Sequence, residues 1–121
     1  MKIPALSLIV LRSANVEAAL AFYGSVGLVF VKEQHGSGPI HYSAELSGLV
    51  LEIYPAQTGT ASEPKASGAT MLGIQVGSLD EALAKLQELH IESEAPPKDS
   101  DWGRWVNVTD PDGRVIQLIQ T

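Results

Sequence analysis

Two segments of this chain, 63 residues apart (residue 15 to residue 78), share the same pattern of residue types. Residues 15–20 (NVEAAL) follow the apolar run 6–11, and residues 78–83 (SLDEAL) follow the apolar stretch 71–76. Each apolar run, together with the segment that follows it, is typical of a β-strand that leads through a capping residue into an amphipathic α-helix. An internal repeat constrains the fold strongly, because both copies are expected to form the same unit.

A second pair of matching segments lies further along each copy. Ser47-Gly48 precedes residues 49–53 (LVLEI), and Asp112-Gly113 precedes residues 114–118 (RVIQL). The offset is now 65 residues (48 to 113), which a two-residue length change in one loop explains. The sequence therefore predicts two similar α+β units about a pseudo-twofold axis, with any site in the concavity where equivalent positions converge.

Turn residues and apolar periodicity predict the order β-α-β-β-β in both units. In the first unit the predicted elements are a strand at 5–11, a helix capped by Asn15, a strand at 28–32, and a hairpin of 41–46 and 50–54. In the second unit they are a strand at 71–76, a helix at 79–89 opened by a Ser78–Glu81 capping box, a short strand at 91–93, and a hairpin of 102–108 and 114–120. We predict a first module at residues 1–55, a linker at 56–70 rich in Ser, Thr, Gly and Pro, and a second module at 71–121, together one compact domain.

The composition excludes several classes of function. The chain has no cysteine, which excludes disulfides, thiolate metal sites and a cysteine nucleophile. Its formal net charge of -6, with no basic run, argues against nucleic-acid binding. The apolar run after Lys2 stops at Arg12, too short for a signal peptide or a membrane span. We therefore expect a soluble cytoplasmic protein with no nucleic-acid or membrane partner.

Several motifs occur together at characteristic separations. They are residues 21–23 (AFY) followed by 27–28 (GL), residues 102–105 (WGRW), and residues 110–118 (DPDGRVIQL). Because of these motifs, the whole chain resembles the vicinal oxygen chelate superfamily, which comprises glyoxalase I, bleomycin-resistance proteins and extradiol dioxygenases. The resemblance implies the glyoxalase/bleomycin-resistance fold, in which two βαβββ modules form a cup-shaped half-barrel. This is the topology that the internal repeat predicts.

The resemblance also implies where a metal would lie. Catalytic members of the family place a His on the first strand of each module and a Glu on the last. The matching positions here are Leu8, Met71, Glu52 and Gln117. Leucine cannot coordinate, a thioether suits soft ions, and one carboxylate with one amide does not hold a first-row dication. We therefore predict no metal and no cofactor, which argues against a metal-dependent glyoxalase or dioxygenase.

The same four positions suggest a ligand pocket in which other side chains take the place of the metal ligands. Glu52 and Gln117 would face a cavity between apolar side chains of the repeated strands. His35 and His41 flank the loop 36–39 (GSGP) and could serve as a base and its hydrogen-bond partner at the mouth of the cup. Aromatic and cationic side chains near the rim suit planar ligands, although strand alternation sends Arg104 and Trp105 to opposite faces. The predicted ligand-binding residues are Glu52, Gln117, His41, Trp102, Arg104 and Trp105.

Two functions remain open at this point. The first is a metal-free binding protein for a small organic molecule, as in the bleomycin-resistance branch. The second is a metal-independent isomerase or lyase that uses Glu52 or His41 as a general base. Open half-barrel sheets leave unpaired edges, and the family usually associates in pairs, so we also expect a homodimer.

Overall fold

The structure, a computed structural model, describes residues 3–56 and 70–121 of the 121-residue chain. It contains the two βαβββ modules that the repeat predicts. The first module comprises β1 (Leu8–Ser13), α1 (Val16–Ser25), β2 (Val31–Glu33), β3 (His41–Leu46) and β4 (Leu49–Pro55). The second comprises β5 (Leu72–Gln75), α2 (Leu79–Glu88), β6 (Lys98–Ser100), β7 (Gly103–Thr109) and β8 (Val115–Gln120).

Each module forms one four-stranded mixed sheet, and the two sheets have equivalent strand orders. The orders are β1-β4-β3-β2 and β5-β8-β7-β6. The first strand of each module runs parallel to the last, and the other neighbours are antiparallel. The predicted α+β fold of two repeated modules is therefore confirmed. The predicted linker, residues 56–70, falls almost entirely at 57–69, outside the described residues, so the module boundaries stay a prediction.

Both helices begin at the predicted capping residues. The Asn15 side chain accepts a hydrogen bond from the Ala18 amide at 3.1 Å, and Ser78 Oγ accepts one from the Glu81 amide at 3.2 Å. These caps satisfy amides that the first helical turn leaves without a partner.

Both helices also end in the same way, and this corrects one predicted strand. The Ile91 amide donates to the Leu86 carbonyl at 3.0 Å, while His90 adopts a left-handed φ of 63°. These are the bonds of a Schellman motif, in which an apolar residue just past the helix packs back on the core. The strand predicted at 91–93 is therefore wrong, because Ile91 ends α2. The edge strand of the second module is β6, which pairs with β7.

One hydrophobic core joins the two modules. Buried side chains of both helices and of the helix-facing sides of both sheets form a single cluster. The largest fully buried members are Phe22, Tyr23, Ile53, Leu79, Leu86, Ile116 and Leu118. Helix α1 also packs against α2, so the modules meet through their helices.

The β7–β8 turn adds polar contacts between the modules. Tyr23 donates to Asp110 Oδ2 at 2.6 Å, and the Ala14 amide donates to Asp112 Oδ1 at 2.8 Å. Arg114 reaches across as well and donates to the Arg12 carbonyl at 2.5 Å. The DPDG motif therefore turns one hairpin and fixes the second module to the β1–α1 junction of the first.

Candidate ligand-binding site

Each sheet packs one face against the helices and leaves the other uncovered; we call the latter the open face. Strand β4 shows the alternation clearly, because Leu51 and Ile53 are buried while Val50, Glu52 and Tyr54 are only partly so. Successive side chains of a strand point to opposite faces. Glu52 therefore lies on the open face of the first sheet, as predicted from its place in the repeat.

Apolar side chains surround Glu52 on this face. Strand register pairs Leu8 with Val50 and Val10 with Glu52. Leu8, at the start of β1, is 50% exposed and Val10 is 40% exposed, which is high for aliphatic residues paired in a sheet. Adjacent half-exposed apolar side chains around a carboxylate are typical of a surface that binds a ligand or a partner.

His41 lies on the same open face but is almost fully buried. It pairs across the strands with Glu33, and its Nε2 lies 3.4 Å from Glu33 Oε1 and 3.4 Å from Glu52 Oε2. The side chain of His41 is 1% exposed, against 16% for Glu52 and 37% for Glu33. The structure thus joins two predicted residues, His41 and Glu52, and adds Glu33, which the sequence did not single out.

Aromatic neighbours hold the His41 ring in place. The ring stacks on Tyr54 with centroids 4.2 Å apart and an interplanar angle of 6°, and the Arg12 guanidinium lies 5.0 Å from the Tyr54 centroid on the same face. His35 lies 5.1 Å away, ring centroid to ring centroid. The loop between β2 and β3 has therefore brought both flanking histidines together.

The open face of the second sheet carries Gln117 and Trp105. Register pairs Trp105 with Ile119 and Asn107 with Gln117, so alternation places all four side chains on one face. Gly73 on β5 pairs with Gln117, and a Cβ at this glycine would lie 3.8 Å from Gln117 Oε1. The Lys98 ammonium lies 5.7 Å from the centroid of the Trp105 ring, within the range of a cation–π contact.

Two of the predicted ligand-binding residues lie elsewhere. Arg104 is on the helix side of its sheet, where its Nη1 donates to Asp80 Oδ1 at 3.0 Å. Alternation along β7 separates it from Trp105, as the sequence predicts. Trp102 precedes β7 and is 73% exposed. The open faces therefore bring together Glu52 with His41, and Gln117 with Trp105, but leave Arg104 on the opposite side.

The comparison with family models decides what kind of protein has this geometry. Residues 5–118 match the model of the Glyoxalase/Bleomycin resistance protein/Dioxygenase superfamily. The chain belongs to this superfamily. The assignment confirms the resemblance carried by the DPDG hairpin and the repeated strand-helix units.

Individual proteins resemble the chain over almost its full length. The Bacillus subtilis (strain 168) protein YwkD, itself uncharacterised, is 30% identical over 114 residues, which cover 88% of this chain and 89% of YwkD. The structure of TnmS3, an antibiotic binding protein from Streptomyces sp. CB03234, is similar with a TM-score of 0.68, 27% identity, and coverage of 99% of this chain and 98% of TnmS3. A bleomycin-binding protein complexed with bleomycin shares the fold with a TM-score of 0.63 at 22% identity, over 98% of this chain and 99% of that one.

The metal-ligand positions of catalytic superfamily members do not suit a metal in this chain. Leu8 and Met71 occupy the two histidine positions and are both about half exposed, while Glu52 and Gln117 occupy the carboxylate positions. A hydrocarbon, a thioether and an amide beside one carboxylate are a poor donor set for Zn²⁺, Mn²⁺ or Ni²⁺. No catalytic step through a metal at these positions is therefore supported by the residues present.

An apolar cleft of about 320 Å³ lies between the modules, and neither Glu52 nor Gln117 is among its lining residues. Its walls are the edge of β1, the β3–β4 turn and strand β5, with Ile9, Leu46, Leu49 and Leu72 among the lining residues. Within residues 3–56 and 70–121, neither helix is long and apolar enough to cross a membrane.

Proposed function

We propose that this chain binds a small organic molecule on its open faces, with Glu52 and Gln117 orienting the ligand and no metal at the superfamily's four ligand positions. The observation that carries this proposal is that Glu52 pairs with Val10 and shares its open face with Leu8, two aliphatic residues that are 40% and 50% exposed. A carboxylate set in an accessible apolar surface can bind a cationic or hydrogen-bond-donating group while the surrounding side chains contact the rest of the ligand.

The second open face supports the same function with different chemistry. Gln117 offers both a donor and an acceptor, and Trp105 offers a flat apolar surface. The polar groups differ between the modules, so a ligand that contacts both faces would be bound in one orientation. TnmS3, at 27% identity, is named an antibiotic binding protein, which makes antibiotics a reasonable first class of ligand to test.

The proposed working form is a homodimer in the cytoplasm. Apolar side chains at the start of the chain and around β2 are well exposed in the single chain, among them Ile3 and Val29. Strand β2 is also a sheet edge, whose unpaired backbone groups can pair with a second copy. Association of this kind would cover these residues and could bring open faces of two copies together.

Native mass spectrometry of the untagged protein with an antibiotic library tests this function. We expect at least one compound to bind with a defined stoichiometry and to be weakened by Glu52→Gln or Gln117→Leu. A matched change on the outside of α1, Glu17→Gln, should leave binding unchanged. Retention of full affinity in both open-face variants would contradict this location for the ligand.

The His41–Glu52 contact favours a second candidate, an isomerase or lyase. A carboxylate next to a positioned imidazole can accept a proton from a bound substrate, and His41 is held by its Tyr54 stack. In that case Glu52→Gln should abolish turnover of a bound compound while most of its affinity remains. Conversion of a retrieved ligand, followed by mass spectrometry over time, separates the two candidates.

A further inference from the structure

Three metal-binding side chains meet at positions that the superfamily's metal site does not use. Glu33 on β2, His35 in the following loop and His41 on β3 each bring a ligand atom within 4.8 Å of the other two. Among residues 3–56 and 70–121, this is the group of three such side chains that the structure brings within that distance. We propose that Glu33, His35 and His41 bind one divalent transition-metal ion, with Zn²⁺ as the best-fitting ion.

The His41 ring is oriented as a metal ligand would be. Its Nδ1 lies 3.2 Å from the Pro39 carbonyl, which can only accept, so Nδ1 carries the proton and donates it. The lone pair of the neutral ring is then on Nε2. Metal-binding histidines almost always donate their other ring N–H to a carbonyl or carboxylate in this way.

The surroundings of His41 Nε2 would stabilise a cation. This atom is buried and has no hydrogen-bond partner among the described residues, yet two carboxylate oxygens, of Glu33 and Glu52, lie 3.4 Å away. A lone pair beside two carboxylates is repelled by both, whereas a metal ion between them is attracted to all three. Two ligands that form bonds of about 2.1 Å to a tetrahedral ion lie about 3.4 Å apart, which is the separation of Nε2 and Glu33 Oε1.

The loop between β2 and β3 places His35 next to His41. The Gly38 amide donates to the His35 carbonyl at 3.0 Å, the Gln34 side chain donates to the Gly38 carbonyl at 3.0 Å, and Gly36 takes a left-handed φ of 60°. This tight turn places the His35 ring next to His41 while leaving it exposed. An exposed ring can adjust its position to complete a coordination sphere.

The donor set selects the class of metal. Two imidazoles and a carboxylate suit Zn²⁺ and its first-row neighbours, whereas Ca²⁺ and Mg²⁺ prefer sets made of oxygen. Three protein ligands leave a fourth position for water or for a ligand donor atom. Glu52 adds negative charge next to the ion. The argument for this site does not rest on the proposed small-molecule function, since its three ligands lie on β2, β3 and their loop, although Glu52 neighbours both sites.

Zinc titration of untagged, chelator-treated protein by calorimetry tests the site, with bound metal counted by elemental analysis. We expect one Zn²⁺ per chain. His35→Ala should weaken binding more than about 100-fold, since even loss of a hydrogen-bond partner outside the ligand set costs about 10- to 100-fold. Glu33→Gln should act in the same direction. His35 is exposed, so its variant should fold, as a thermal melt would verify.

Matched variants separate this site from surface binding. His90→Ala removes the remaining histidine of the chain, and Glu45→Gln changes an exposed carboxylate of β3; both should keep full zinc affinity. The imidazole NMR signals of His35 and His41 should shift with zinc while those of His90 stay in place. Absence of zinc binding at micromolar concentration would overturn the proposal. Equal losses in the His90 and His35 variants would also overturn it.

Discussion

The Tyr23 hydroxyl donates a 2.6 Å hydrogen bond to Oδ2 of Asp110, which is 87 residues away in the sequence. It links helix α1 of the first module to the β7–β8 turn of the second. Both side chains are buried, and the same carboxylate also accepts from the Arg114 guanidinium and from the amides of Asp112 and Arg114. Every oxygen of this buried carboxylate is thus satisfied, and the turn is rigidly attached to the first module.

Replacing Tyr23 with Phe should destabilise the protein. The variant removes a hydrogen bond to a buried charged acceptor, which we expect to cost about 1.5 to 3 kcal/mol of unfolding free energy. Denaturant unfolding measures this difference. Tyr42→Phe is a suitable control, because the Tyr42 hydroxyl makes no hydrogen bond to residues 3–56 and 70–121 in the structure. A Tyr23→Phe protein as stable as the parent would show that the link contributes nothing.

The unfolding free energy should also decrease at high pH, because the Tyr23 phenol is buried in the folded state. Burial raises the pKa of its phenol well above the ordinary value of 10.0, and the Asp110 carboxylate raises it further. The folded state therefore keeps this proton above pH 10 while the unfolded state loses it, so the unfolding free energy decreases as the pH rises. Below the ordinary pKa both states are protonated and this contribution is constant.

The comparison with Tyr23→Phe isolates this effect. Above about pH 10 the parent should lose up to about 1.4 kcal/mol per pH unit more than the variant, the value for one proton. Denaturant unfolding at a series of pH values between about 8 and 11 measures both slopes. Parallel curves over the whole range would mean that the Tyr23 phenol ionises equally in both states.

The sequence predicted the parts of this fold that depend on local patterns. The repeated caps at Asn15 and Ser78 and the turns at 47–48 and 110–113 set the topology, and strand alternation placed Glu52 and Gln117 on the open faces. The edge strand of the second module was predicted at the wrong residues. An apolar residue just after a helix cannot be distinguished by its type from an apolar residue that begins a strand. Ile91 is such a residue.

The contacts around His41 and Asp110 could not be predicted in the same way. The cluster of Glu33, His35 and His41 depends on the path of one loop and on the register of β2 with β3, which a six-residue spacing (35 to 41) does not specify. A correct boundary for β2 would have pointed to Glu33, since it pairs directly with His41. The Tyr23–Asp110 bond depends on how two modules dock, and a repeat reveals the modules without their docking.

No metal should be bound at the superfamily's four ligand positions. If the protein retains zinc, Gln117→Ala and Met71→Ala should leave the metal content of the purified protein unchanged, while His35→Ala removes it. Elemental analysis after purification without chelator gives these values. Loss of metal in the Gln117 or Met71 variant would place an ion at the superfamily site despite its poor donor set.

The protein should be a homodimer in solution. Light scattering at micromolar concentration should give twice the 12.9 kDa of one chain. The exposed apolar residues around edge strand β2 supply a surface for association. A monomer mass throughout a concentration series would contradict this, and the open faces would then have to bind ligand within a single chain.

Glu52→Gln should weaken ligand binding by about 1 to 3 kcal/mol, the usual cost of losing a charged hydrogen-bond acceptor. The test ligand is a cationic or hydrogen-bond-donating compound retrieved by native mass spectrometry. The shape of the side chain is kept, and the variant removes the carboxylate charge that faces the His41 Nε2 lone pair at 3.4 Å, so the effect on folding should be small. A binding titration and a thermal melt on the same variant measure the two effects, both in chelator so that bound zinc plays no part.

The two measurements together separate a ligand-binding role of Glu52 from a structural one. A side chain that binds ligand loses affinity on substitution while its melting temperature stays close to that of the parent. A structural strand residue behaves in the opposite way, because its contacts are made whether or not the ligand is present. Glu17→Gln, an exposed change on α1, should alter neither affinity nor the melting temperature appreciably. Unchanged affinity with a lowered melting temperature in Glu52→Gln would therefore remove Glu52 from the binding site and move the search to the apolar cleft between the modules.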